Sequence, residues 1–261
     1  MSNQFANAAT TVDIEASVEV GGGGNWSCPL KDSAEHGDVA LVRFVSYIET
    51  GEQQTTGKFA KIVPQAMLKF ECVTPKHTKT SEDGKLITGS IDVTVNVGVN
   101  DGGNYVKFFR AMNYAQKHQH FAQMLGEAFL VPKLLLNVSG DKTYINISSK
   151  DLGVQLAAPL SKDAMTGTTT PINAPAATRE LQCLIFDNPT TEQWDSIYID
   201  GEKEDGTSKN WIQNKIKGAI NFSGSGVEQF LAANGVELPD PAAKAEHKPD
   251  ATKANDALSQ L

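Results

Sequence analysis

The sequence predicts a mainly β protein that also contains short helices, and three observations support this. Between Asp38 and Lys150, three successive segments are rich in β-branched and aromatic residues, and in the third of them apolar residues alternate with polar ones, which is the period of a half-buried strand. A segment with helical spacing follows, and two more β-rich segments come after it. Three strands, a helical insert and two further strands are the order of an OB-fold. That fold is a five-stranded Greek-key barrel that commonly binds oligonucleotides through strands 2 and 3 and two loops.

The three predicted strands before the insert are separated by turn residues. The first, Val39–Glu49, is rich in β-branched and aromatic residues and ends at a Thr-Gly pair. The second, Lys58–Val73, follows a polar loop, and Pro64 within it requires an edge position or a bulge. The third, Leu86–Val99, has Val or Ile at every second position from 91 to 99.

The helical insert between strands 3 and 4 is predicted over Tyr105–Leu125. Phe121 and Met124 are three residues apart, which is helical spacing, and a break near residues 115–118 indicates two short helices rather than one. Two strands, Lys133–Val138 and Thr143–Ser149, follow and are joined by Ser-Gly-Asp-Lys, a hairpin signal. They complete the five strands of the predicted barrel.

Composition predicts the domain organisation around this core. Four consecutive glycines at 21–24 are too flexible for the interior of an element. The tail contains no aromatic residue and cannot bury enough apolar surface to order itself. We expect a flexible N-terminal arm at 1–36, the OB-fold core at 37–156, a linker at 157–180, a small α/β C-terminal extension at 181–236 and a disordered tail at 237–261.

Several functional classes have no support in the sequence. Cys28, Cys72 and Cys183 are odd in number and far apart, so they imply no disulfide framework. The first nine residues resemble no secretory signal, and no apolar run has the length of a membrane span, so we expect a cytoplasmic protein. No nucleotide-binding, hydrolase or zinc-protease motif is present. We therefore expect no enzymatic activity, no metal and no cofactor.

Charge predicts a local binding surface for a polyanion. The chain has a net charge of −8, whereas residues 38–150 contain 13 Lys and Arg against 10 Asp and Glu. Lysines concentrate on the second predicted strand and its exit, where the groove of an OB-fold lies. Lysines bind phosphates by releasing counterions, although lysines on a strand are also common as solvated edges. The candidates are Lys58, Lys61, Lys69, Lys76 and Lys79.

Aromatic side chains on the same strands are candidates for stacking on unpaired bases. Single-strand binders use such platforms, which contribute about 1–3 kcal/mol per base. The alternative is that an aromatic residue on a strand faces the core. The candidates are Tyr47, Phe59, Phe70 and Tyr144.

Two stretches resemble OB-fold single-stranded-DNA-binding proteins of tailed bacteriophages. One begins Gly-Asp-Val-Ala-Leu-Val-Arg-Phe at Gly37 and continues to Met-Leu-Lys-Phe-Glu at 67–71. The other is the helix end at 121–130 together with Tyr-Ile-Asn-Ile at 144–147. The resemblance covers roughly residues 37–150 and is a pattern of spacing rather than an invariant motif. The C-terminal tail differs from the family's pattern, because it is only mildly acidic and lacks a terminal aromatic residue.

The resemblance implies a protein that coats single-stranded DNA during phage replication, recombination or repair in the cytoplasm of an infected bacterium. Its partners would be single-stranded DNA and phage replication or recombination proteins. A second apolar cluster, from Phe186 through Trp194 and Trp211 to Phe222, is either a small subdomain packed on the barrel or a surface for a homodimer or another partner. The competing hypothesis is a β-rich virion or scaffold protein without affinity for nucleic acid.

Overall fold

The computed structural model describes residues 28–56, 60–139, 142–204, 206–236 and 238. Within these ranges the α-helices are α1 (Pro29–Ser33), α2 (Asn104–Met112), α3 (Thr191–Ser196), α4 (Trp211–Lys217) and α5 (Gly226–Ala233). Two single turns of 3₁₀-helix lie at Pro75–His77 and Phe121–Met124. The strands are β1 (Ala40–Gln54), β2 (Ile62–Cys72), β3 (Lys79–Thr80), β4 (Leu86–Ile87), β5 (Gly89–Asn96), β6 (Ala128–Val131), β7 (Leu135–Ser139), β8 (Lys142–Asn146), β9 (Ser148–Ser149), β10 (Gly153–Val154), β11 (Leu160–Lys162), β12 (Thr169–Pro171) and β13 (Gln182–Leu184).

A five-stranded sheet built around β1 forms the centre of the molecule. One edge of β1 pairs with β2, which in turn pairs with β5, and both ladders are antiparallel. The other edge of β1 is shared by two strands. The antiparallel strand β6 lies beside residues 40–43, and the parallel strand β13 lies beside residues 46–48. The spatial order β6-β1-β2-β5 is that of a Greek key, in which the fourth strand returns to lie beside the first.

Two bulges in β1 change which side chains face the interior. Phe44 pairs with Phe70 and Ser46 with Lys69, so Val45 is the extra residue; Thr50 is the extra residue of the second bulge. Because side chains alternate along a strand, one inserted residue reverses the alternation.

The sheet separates two hydrophobic cores. The first lies between the sheet, α1, α2 and the turn at 121–124, and its largest buried side chains include Phe44, Tyr47, Phe70, Phe108, Phe121 and Phe129. The second lies on the other face, where α3, α4 and α5 surround Ile48 of β1. After the first bulge, adjacent residues of β1 therefore serve different cores, since Tyr47 belongs to the first and Ile48 to the second.

The predicted β-rich protein with short helices is confirmed by this sheet and its surrounding helices. The helical insert lies between β5 and β6. Strand β8 contacts β5, but in the part of the chain that the structure describes no hydrogen-bonded ladder joins them. The sheet is thus open at β5.

Residues outside the predicted strands and helices are also structured. Pro29–Ser33, inside the predicted arm, form α1, which contacts β5 and the 3₁₀ turn at Pro75–His77. The predicted linker contains the hairpin of β11 and β12. Residues 1–27 of the predicted arm, and all of the predicted tail except residue 238, lie outside the described residues. None of the helices in the described ranges is both long and apolar enough to cross a membrane.

Candidate nucleic-acid interface

The loop between β1 and β2 carries three of the predicted contacts. Its base is closed by Thr55 and Lys61, because the Thr55 N–H donates to the Lys61 carbonyl at 2.8 Å and the Lys61 N–H donates to Thr55 Oγ1 at 2.8 Å. Lys61 is exposed. Lys58 and Phe59 lie outside the described residues, within the segment that this pair closes. These two hydrogen bonds thus fix Thr55 and Lys61 at the end of the β1–β2 hairpin.

Lys69 lies on the outer face of β2, away from the first core. Its ammonium nitrogen is 3.4 Å from Asp92 of β5, and its side chain is 26% exposed. The neighbouring outer positions of β5, Thr94 and Asn96, are exposed and polar. Met67 lies beside these polar residues on the same face of the sheet and packs against the second core. Lys69 is therefore accessible, but an acidic neighbour offsets its charge.

Lys76 and Lys79 lie beyond the opposite end of β2 from Lys61. Since β2 has 11 residues and a strand rises about 3.3 Å per residue, the two ends are roughly 35 Å apart. Lys76 forms an ion pair with Asp38 at 2.6 Å, and Lys79 with Asp32 at 3.2 Å. That these two lysines share a groove with the others stays a prediction; in the structure they help to attach the segment before β1.

Tyr47 and Phe70 are fully buried, and their predicted role in base stacking is wrong. Phe70 packs against Phe44 with the ring centroids 5.2 Å apart and the planes tilted by 35°. Tyr47 lies parallel to Phe121 at 5.3 Å, so neither face of these rings is available to a ligand. The bulge at Val45 explains the error for Tyr47, because it turns this side chain to the face that Phe44 occupies.

Tyr144 is the one predicted aromatic among the described residues that is exposed, with 48% of its surface accessible. It lies on β8 opposite Asn137, in the hairpin of β7 and β8. This hairpin follows β6 in the chain, and its second strand contacts β5. Tyr144 thus keeps the exposure that stacking on a base requires.

A polar cluster that the sequence did not reveal lies where the two cores meet. The Tyr47 hydroxyl donates to Glu49 Oε1 at 2.9 Å and lies 3.1 Å from the Tyr105 hydroxyl. The Phe186 N–H donates to the other oxygen of Glu49 at 2.9 Å, and His120 Nε2 is 3.7 Å from Oε1. Burial favours a higher pKa for Glu49, but these partners outweigh it and the pKa lies below its ordinary value. Burial raises the pKa of Tyr47, so Tyr47 is a neutral donor.

Three histidines of the described residues lie against different acidic side chains. His77 lies against Asp38, His118 against Glu127 and His120 against Glu49. Across the described ranges, no group of three His, Cys, Asp or Glu side chains could hold a metal ion.

An open cleft of about 1320 Å³ lies where β6 and β13 diverge from β1. Its lining includes Arg43, Tyr114 and the ion pair of His118 with Glu127, whose atoms are 2.7 Å apart. The Arg43 guanidinium donates to the carbonyls of Gly126, Ala174 and Pro175. Arg43 therefore joins Gly126, in the lining of the cleft, to the chain segment at 174–175.

Comparison of the chain with models of protein families, with curated proteins and with solved structures gives no match.

Proposed function

We propose that this chain is an OB-fold protein that binds single-stranded DNA largely independently of sequence and performs no chemistry on it. The observation that carries the proposal is the connectivity of the sheet. Three antiparallel strands, a helix and a fourth strand beside the first are followed by a hairpin whose last strand contacts β5. An OB-fold is a partly open Greek-key barrel, so the open edge at β5 is compatible with it.

The surface that fits this function is smaller than the run of lysines first suggested. It comprises the loop of residues 55–61, the outer face of β2 and β5 around Lys69, and the hairpin that carries Tyr144. OB-folds bind oligonucleotides through two loops and the face of strands 2 and 3, and in the proposal these three parts of the surface would serve that purpose. Lys58, Lys61 and Lys69 would bind phosphates, and Phe59 and Tyr144 would stack on bases.

The biological role that follows is protection of single strands during phage DNA replication, recombination or repair. This role rests on the resemblance of residues 37–150 to phage single-stranded-DNA-binding proteins. It would place the protein in the cytoplasm of the infected host, together with phage replication or recombination proteins. A β-rich virion or scaffold protein is the alternative, and it would have no affinity for oligonucleotides.

Titration with oligo-dT over a series of salt concentrations tests the proposal. We compare the wild type with the triple variant Lys58→Gln, Lys61→Gln and Lys69→Gln, which removes three charges at nearly constant side-chain size. Each phosphate contact in a single strand contributes about 0.7 to the slope of log K against log salt, so the slope should fall by about 2 in the triple variant. The double variant Lys76→Gln and Lys79→Gln is the matched control and should keep the wild-type slope.

Two results would contradict the proposal. Wild-type protein that fails to bind oligo-dT even at low salt would favour the virion or scaffold role. Wild-type protein that binds, together with an unchanged slope in the triple variant, would place the DNA on another surface.

A further inference from the structure

The short helix α1 is held tightly against the open side of the sheet. Leu30 is fully buried in the first core. The Ser33 hydroxyl lies 3.2 Å from Nδ1 of the buried His77, and Asp32 forms the ion pair with Lys79. Cys28, the residue before the helix, is thereby fixed in position although its side chain does not cap the helix.

A glycine allows the sulfur of Cys28 to approach the sheet. A Cβ added to Gly89, the first residue of β5, would lie 2.4 Å from the Leu30 Cβ and 3.0 Å from the Cys28 Sγ. Since carbon and sulfur atoms do not approach so closely without bonding, α1 can dock only because position 89 has no side chain. The Cys28 sulfur therefore lies over the backbone of β5, on the face that a side chain at 89 would take.

The register of the sheet places Cys72 beside the same position. Cys72 is the residue of β2 that pairs with Gly89. Paired residues of antiparallel strands point to the same face, with Cβ positions about 4.5–5.5 Å apart. Both cysteines accordingly belong to the first core, where Cys72 is buried and Cys28 is partly exposed. Burial raises the pKa of the Cys72 thiol, and Cys28 is close enough to add to this shift.

We propose that Cys28 and Cys72 form a reversible intramolecular disulfide when the protein meets hydrogen peroxide. The Cys28 thiolate attacks one peroxide oxygen, the O–O bond breaks, and the departing hydroxide takes up a proton to become water. The Cys72 sulfur then attacks the Cys28 sulfenic acid, the S–O bond breaks, and a second water leaves with the Cys72 proton. Two thiols lose two electrons, and one peroxide is reduced to two waters.

The order of these steps follows from exposure. Peroxide reaches the partly exposed Cys28 first, whereas Cys72, buried and with a raised pKa, is the resolving thiol. The product would join the start of α1 to the end of β2 and so prevent α1 from leaving the sheet. Cys183 is buried next to the second core, in β13 on the far edge of β1, and has no part in this pair.

Peptide mapping of the full chain tests the pair. Native protein is treated with hydrogen peroxide, its free thiols are alkylated, and it is digested without reduction. We expect a peptide linked through Cys28 and Cys72 in the wild type and equally in Cys183→Ser, and its loss in Cys28→Ser and Cys72→Ala. Dithiothreitol added before alkylation should remove the link.

The same mapping after oxidation in urea shows whether the link depends on the native fold, because unfolded chains should also link Cys183. The proposal is overturned if native Cys183→Ser, with an unchanged circular dichroism spectrum, yields both cysteines separately alkylated. It is equally overturned if Cys28 proceeds to the sulfinic acid without a linked peptide.

Discussion

The two sides of the central sheet are held together by different kinds of contact. On the side of the first core, long ladders and a continuous apolar interior join β1, β2, β5 and β6. On the side of the second core, the chain from 172 to 186 is attached to the sheet in two further ways. Strand β13 pairs with β1 over only three residues, and charged side chains of the sheet hydrogen bond to backbone groups of this segment. These are Arg43, Glu49 and Glu71, which hydrogen bond to backbone groups at 174–175, 186 and 178–179 respectively.

This difference indicates that the attachment of residues 174–179 to the sheet depends on a few polar anchors, whereas the first core depends on many apolar contacts. A buried carboxylate stabilises a fold only while its hydrogen bonds are complete. Loss of one anchor should therefore have a larger effect than most single apolar substitutions. Three experiments examine the contrast, in order of decreasing expected effect.

Replacement of Glu71 should give the largest loss of stability. This side chain is fully buried and accepts hydrogen bonds from the Thr88 hydroxyl at 2.8 Å and from the N–H groups of Thr178 and Arg179 at 3.0 and 3.1 Å. Glu71→Ala leaves these donors without a partner, and we expect the free energy of unfolding to fall by about 3 kcal/mol, measured by urea denaturation. Glu82→Ala, at an exposed position of a turn, is the control and should stay within about 0.5 kcal/mol of the wild type.

A loss of stability confined to the C-terminal region would appear as a separate unfolding transition at a lower urea concentration. Hydrogen exchange should then show increased exchange at residues 174–186 and unchanged exchange in β2 and β5. If Glu71→Ala and Glu82→Ala have the same urea midpoint as the wild type, the hydrogen bonds of Glu71 contribute little to stability. The proposed contrast between the two sides of the sheet is then wrong.

Gly51 tests the packing between the sheet and the C-terminal region. Its φ is +70°, and an added Cβ would lie 2.6 Å from the Phe186 ring and 2.8 Å from the Ala219 Cβ. Gly84 has a similar φ of +82° but no atom within 4 Å of an added Cβ. Both alanine variants carry the backbone strain, so the difference between them measures the steric clash alone. We expect Gly51→Ala to be less stable than Gly84→Ala by about 2 kcal/mol in urea denaturation; equal stability would show that this contact is loosely packed.

The smallest predicted effect is a pH dependence on the side of the first core. His77 is fully buried, and burial lowers its pKa below the ordinary value of 6.5. The unfolded chain therefore binds a proton more readily than the folded one, so stability is complete above pH 6.5 and declines as the pH falls below it. For this one proton, the free energy of unfolding changes with pH by at most about 1.4 kcal/mol per pH unit.

Urea midpoints at pH 7.5, 6.5 and 5.5 measure this decline. His77→Gln should flatten it, whereas His36→Gln, at an exposed position, should reproduce the wild-type profile. Asp38 and Lys76 are the charged groups beside His77. The pKa of Asp38 lies below 3.8, chiefly because Lys76 donates a hydrogen bond to it, so Asp38 titrates only at more acid pH. A profile for His77→Gln as steep as that of the wild type would assign the decline to other groups.

The sequence predicted the parts of the fold that depend on local periodicity. The alternation in residues 91–99 indicated β5, and the spacing of Phe121 and Met124 indicated a helical turn that the structure places at Phe121–Met124. Strand β6 was missed because its four residues follow Gly126 in an apolar run that is too short to show a period.

The candidate site was harder to predict, because it depends on contacts between distant residues. The bulge at Val45 reversed the orientation of Tyr47, and no local pattern announces such a bulge. Lys76 and Lys79 follow Lys69 closely in sequence, but their partners are Asp38 and Asp32, more than thirty residues earlier. The exposure of Tyr144 and Lys61 does not depend on contacts between distant residues, because each lies near the turn of a hairpin.

The two bulges in β1 make the number of residues in this strand as important as their identity. Deletion of a paired residue such as Ser46, with the bulge at Val45 kept, would move Ile48 to the position that Tyr47 occupies now, whereas deletion of the extra residue Val45 would leave the pairing unchanged. Mutational drift along this strand should therefore proceed by replacement rather than by changes in length.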